Sequence, residues 1–104
     1  MELSVVNDPG SAETAVIHVS GDLDLASGSQ VYRTLAQLRD EGRTTLRVDV
    51  SRCDFVDSAG LSVLLRWQDE ARQLGHGFAV TGARGLVRRV LRVSGVEGIL
   101  GARA

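Results

Sequence analysis

The stretch R-C-D-F-V-D-S-A-G-L-S-V-L-L, Arg52–Leu65, decides how this chain folds. Before it, Thr44 to Val50 alternates: Leu46, Val48 and Val50 on one side, Thr45, Arg47 and Asp49 on the other. That is the period of a half-buried strand. After it, Leu61 to Leu74 is amphipathic, and Gly75 and Gly77 bracket the exit. The quoted residues therefore carry a strand into a helix. Asp57 and Ser58 sit at the junction, and either is a good N-cap.

Outward from this junction the pattern repeats. Phe78–Thr81 reads as another strand and Leu86–Val93 as another helix, with Leu86, Val90 and Val93 at helical spacing and Val87 and Leu91 alongside. Upstream, Ala15–Ser20 alternates as a strand, and Gly21-Asp22-Leu23-Asp24 ends it. Ala26–Glu41 follows as a helix with Val31, Leu35 and Leu38 on one face and Gly42 at C′. Leu3, Val5 and Val6 form a short first strand, closed by the turn Asn7-Asp8-Pro9-Gly10. Val96–Leu100 either returns to the sheet or packs as a tail, and Gly101–Ala104 fray. Strands alternating with helices need crossover connections, so the sheet is largely parallel, and the early hairpin makes it mixed. The expected fold is α/β, with four or five strands.

Composition narrows the function. The chain has 104 residues, 43% hydrophobic and 24% charged, which fits one small domain spanning 1–104 with a core from about residue 3 to 100. Twelve basic and thirteen acidic residues leave a net charge of −1, which gives no electrostatic case for nucleic acid. No apolar run reaches the roughly 18 residues needed to cross a bilayer. The N-terminus lacks the pattern of a signal peptide. Cys53 is the single cysteine, so no internal disulfide forms, and a cytoplasmic location is expected. Cys53 is read as a small core-facing or half-buried residue rather than a redox sensor, because no second thiol is available to it.

The serine at the junction faces unpaired backbone N–H groups at a helix start. A phosphate there adds about −1.5 to −2 charges, which the positive end of the helix dipole tolerates. Asp57 and Asp24 would push that charge outward, onto any partner packed against the unmodified hydroxyl. The competing reading is plainer: Asp57-Ser58 only caps a helix, and Gly60 only eases helix–sheet packing.

Together, G-D-L-D-L-A (Gly21–Ala26), V-D-V-S (Val48–Ser51), D-F-V-D-S-A-G-L (Asp54–Leu61), V-T-G (Val80–Gly82) and R-R-V-L-R-V-S-G (Arg88–Gly95) resemble a STAS domain of the anti-sigma factor antagonist type. The resemblance implies a mixed sheet with helices mainly on one face. It implies a noncatalytic regulator that binds an anti-sigma factor with serine kinase activity and releases the sigma factor. Phosphorylation of Ser58 would switch it off, and a phosphoserine phosphatase would restore it. By position, Asp22, Asp24, Asp57, Ser58, Ala59, Gly60 and Ser62 form the partner-binding set, and no cofactor is implied. Weak self-association is compatible with it. The alternative is a soluble STAS subunit of a lipid or solute transporter, or a stress-signalling scaffold. Arg52-Cys53 depart from the commoner pattern, in a loop expected to lead into the site and to tune partner choice.

Other residues read as structural. His18 and His76 lack metal-ligand spacing. V-D-S-A-G is not a G-x-S-x-G elbow, since Val56 replaces the first glycine, and no Walker-type loop occurs. Trp67 is expected in the core rather than as an exposed anchor. Arg84, Arg88, Arg89 and Arg92 form a solvated helix face first and a partner surface second.

Overall fold

Ala15, Ile17 and Val19 are sealed from solvent while His18 between them is exposed, so the period of two in the sequence becomes the two faces of a strand. The same alternation buries Leu46, Val48 and Val50. The computed structural model describes residues 1–94. The elements are β1 (Glu2–Asn7), β2 (Thr14–Leu23), α1 (Leu25–Asp40), β3 (Thr45–Val56), α2 (Ser58–Leu74), β4 (Gly77–Thr81) and α3 (Gly85–Val93). Val96–Leu100 and Gly101–Ala104, for which a fifth strand or tail and a frayed end are expected, lie outside the described residues.

The four strands form one sheet in the order β1-β2-β3-β4. β1 and β2 are an antiparallel hairpin. Its turn is fixed by the Asp8 carboxylate, which accepts from Gly10 N at 2.8 Å, and by Asp8 N donating to Thr14 O at 3.1 Å. β2–β3 and β3–β4 are parallel, as crossovers through α1 and α2 require. Val31, Leu35 and Leu38 of α1, Leu64, Trp67 and Ala71 of α2, and Val87 and Leu91 of α3 join the inward strand side chains in one core. Tyr32 and Trp67 meet edge to face at 5.5 Å between ring centres. Trp67, 1% exposed, is a core residue, as expected. Among the described residues no helix is long and apolar enough to cross a membrane.

Four expectations need correction. β3 does not stop at Val50 but runs to Val56, and β2 runs to Leu23. The pairing steps from His18↔Asp49 to Ser20↔Arg52, and from Gly21↔Cys53 to Asp22↔Phe55, so β3 carries an extra residue twice. These bulges change the buried set to Val50, Cys53 and Val56, a spacing of three that erases the alternation. Arg52 and Cys53 therefore lie within a strand, not in a loop leading to the site. In α3 the inward stripe is Val87 and Leu91, with Val90 partly buried. Leu86 and Val93 are 54% and 81% exposed, so the apolar face is rotated from the spacing read in the sequence.

Candidate functional site

Leu23 and Val56 are the paired last residues of the parallel strands β2 and β3. The next residue of each strand caps the helix that follows: Asp24 caps α1 and Asp57 caps α2. Two helix N-termini thus open at the same end of the sheet, where crossovers return the chain at the carboxyl ends of the strands.

At α1, Asp24 Oδ1 accepts from Ser27 N at 3.0 Å, while Asp24 N donates to Ser27 Oγ at 2.8 Å. This reciprocal capping box starts the helix at Leu25, one residue earlier than expected. The Ser27 hydroxyl, itself buried, reaches the Asp22 carbonyl at 2.8 Å. Hydrogen bonds from the Ser27 backbone N–H and hydroxyl hold the Asp24 carboxyl below the ordinary carboxylate range. Ser27 is absent from the set predicted from sequence, although D-x-x-S at Asp24–Ser27 is itself a capping signal.

At α2 the structure decides between the two candidate caps. Asp57 Oδ1 accepts from Gly60 N at 2.8 Å, and the Asp57 carbonyl accepts from Leu61 N at 2.9 Å. Ser58 is the first helical residue. It is exposed, and its hydroxyl has no hydrogen bond among the described residues. Its carbonyl accepts from the Ser62 hydroxyl at 2.7 Å, so Ser62 is turned back onto the helix backbone. Ala59 is half-buried on the side facing α1.

Gly60 faces inward. A Cβ there would lie 2.9 Å from Leu23 Cγ and closer still to the Leu23 carbonyl, the same carbonyl that accepts from Asp57 N at 3.1 Å. Gly60 is a glycine because the end of β2 passes directly against α2, and not because its surface is open. Asp22 is exposed one step before the strand ends, paired with Phe55. It shares the end of the molecule with Ser58 but is tied to Ser27. Sequence reasoning also missed the apolar rim there: Leu25 is 70% and Phe55 43% exposed.

Cys53 is buried, with Sγ 3.6 Å from the Val19 carbonyl. Burial, reinforced by the charges of Asp54, Asp22 and Asp49, pushes its thiol up to about 11. His18 is exposed, with Nδ1 3.2 Å from the Asp49 carboxylate. Burial pushes the Asp49 carboxyl up, but Ser51 and His18 outweigh it and leave the group below its ordinary value. This pair lies on the sheet face away from the helices. Among the described residues no His, Cys, Asp and Glu groups cluster to hold a metal ion.

The family described as "Mlab, STAS domain" matches residues 6–101. The chain belongs to the STAS domain family. Its relatives include BtrV of Bordetella bronchiseptica, described as a candidate anti-sigma factor antagonist, which is 30% identical over 77 residues. That alignment covers 74% of this chain and 66% of BtrV, just under two thirds of the relative's length. The anti-sigma-F factor antagonist RsfB of Mycobacterium tuberculosis is 24% identical over 83 residues, 80% of this chain and 67% of RsfB. The fold matches that of the Bacillus cell fate determinant SpoIIAA in its phosphorylated form, with a TM-score of 0.74 at 22% identity over 95% of this chain and 87% of SpoIIAA.

Proposed function

We propose that this STAS domain is an anti-sigma factor antagonist, switched off by phosphorylation of Ser58. Its partner would be an anti-sigma factor with serine kinase activity, and a phosphoserine phosphatase would reset it. The observation that carries this reading is the division of labour at the start of α2. Asp57 caps α2 by accepting from Gly60 N, which leaves the Ser58 hydroxyl exposed and unengaged. In the transfer step the Ser58 oxygen would bond to the γ-phosphorus of ATP, ADP would leave, and the hydroxyl proton would pass to the kinase. The added charge sits at the positive helix end, so the fold tolerates it. A partner packed over the bare hydroxyl does not.

Asp22, Asp24, Asp57, Ala59, Gly60 and Ser62 then divide by task. Asp24, Asp57 and Gly60 build the platform from within. Asp22, Ala59 and Ser62 line its approaches. The test is incubation with the cognate anti-sigma kinase and ATP, read by intact mass and peptide mapping. One phosphate on Ser58, absent from Ser58→Ala, supports the proposal. A phosphate elsewhere, or none, contradicts it. The alternative reading is a soluble STAS subunit of a transporter. Stoichiometric co-purification with a transporter ATPase in place of a kinase would favour that reading.

A further inference from the structure

We propose that the groove between α1 and α2, beside Ser58, docks an acidic amphipathic helix of the partner protein. This rests on the reading of Ser58 as the switch and names the chemistry of what is switched. The groove holds about 460 Å³. Its apolar lining comes from Leu25, Tyr32, Ala59 and Val63, and its cations are Arg33 and Arg66. Leu25 is 70% exposed, a large apolar side chain left in water at the rim.

No carboxylate lines the groove itself; Glu70, just outside it, pairs with Arg66, so Arg33 supplies the uncompensated positive charge. Arg66 is held in place, its guanidinium 4.7 Å from the centre of the Tyr32 ring and its Nε 3.5 Å from Glu70. The Tyr32 hydroxyl donates to the same Glu70 carboxylate. Arg33 is exposed and has no acidic partner among the described residues. An apolar trough between two helices, flanked by arginines, fits a third helix that offers leucines to the trough and carboxylates to its edges. Ala59 and Ser62 place the groove within one turn of Ser58. A phosphate on Ser58 would then act within a Debye length, about 8 Å at physiological salt, on the same carboxylates the arginines attract. The switch and the docking charge oppose each other directly.

The probes are two fluorescein-labelled peptides of about 15 residues, long enough for marginal helicity in water. Both carry Leu at i, i+3, i+4 and i+7. The remaining positions are Ala, apart from three on the flanks of the apolar stripe that are Glu in one peptide and Lys in the other. The full chain should bind the Glu peptide at least about tenfold more tightly, with amide shifts concentrated at Leu25, Ala59 and Val63. Arg33→Glu with Arg66→Glu should reverse the preference. Leu25→Asp, at an exposed position, should weaken the Glu peptide while circular dichroism stays unchanged. Equal binding of the two peptides, a preference that survives the double charge reversal, or equally tight binding to anionic phospholipid vesicles overturns the groove. If the groove fails while Ser58 is still phosphorylated, the switch stands alone. If the Glu peptide binds as expected to a protein that the cognate kinase does not modify, the groove stands and the switch falls.

Discussion

A carboxylate that accepts a free N–H in the first turn of a helix frees the hydroxyl beside it, and Asp57 and Ser58 show this at the scale of single residues. Either one is a competent cap by composition, so the sequence leaves the choice open. The choice is settled by Asp57 N reaching the Leu23 carbonyl, a contact between residues 34 positions apart. Gly60 follows from the same contact. An added methyl at Gly60 meets Leu23, and overpacking of this kind costs about 1–3 kcal/mol, against a gain of at most about 1 kcal/mol in helix propensity. Gly60→Ala should lower the thermal midpoint, by about 4–8 °C for each kcal/mol lost. A midpoint at or above that of the parent protein would mean that β2 and α2 are not so close. Cys53 offers a second check. With its thiol pushed up to about 11 and its side chain buried, it should resist iodoacetamide in the native protein at pH 8. It should react fully in denaturant.

Among the elements, those with unbroken periodicity were legible and those with bulges were not. Ile17, Val19, Leu46 and Val48 announce their strands because nothing interrupts the alternation. The second half of β3 buries Cys53 and Val56 three residues apart, so its period of two disappears and the sequence reading ends at Val50. The rotated face of α3 was missed for a related reason. Leu86, Val87, Val90, Leu91 and Val93 allow two apolar stripes, and only packing selects Val87 and Leu91. Two hydrogen-bonded carboxylates also carry an acid sensitivity. Asp24 and Asp49 both have folded pKa values below their unfolded ones, so folding favours their charged forms. Their contribution is present above the ordinary carboxylate value, about pH 3.9, and is lost as the pH falls through the lower folded values. Stability measured by urea should therefore decline on acidification below about pH 5. Asp24→Asn, which keeps a good cap but does not titrate, should flatten that decline. An unchanged slope would show that Asp24 does not contribute to it.

Across the whole molecule, the parallel pairing of β2 with β3 brings two helix starts together, and the proposed switch at Ser58 rests on that arrangement. The order of elements and the position of Ser58 were readable from periodicity and from the family resemblance. The groove, the exposed Leu25 and the arginine pair were not, since they depend on how α1 crosses α2. For Ser58 to act as the proposed switch, its phosphate must break docking and spare the fold. The most direct measurement titrates the cognate anti-sigma kinase against unmodified and Ser58-phosphorylated protein, with the thermal midpoint of each recorded in the same buffer. The predicted result is an affinity loss of at least about tenfold, equivalent to about 1.4 kcal/mol, with the midpoint essentially unchanged. Equal affinity for the two forms, or a phosphorylated form that has lost its cooperative unfolding, would contradict it.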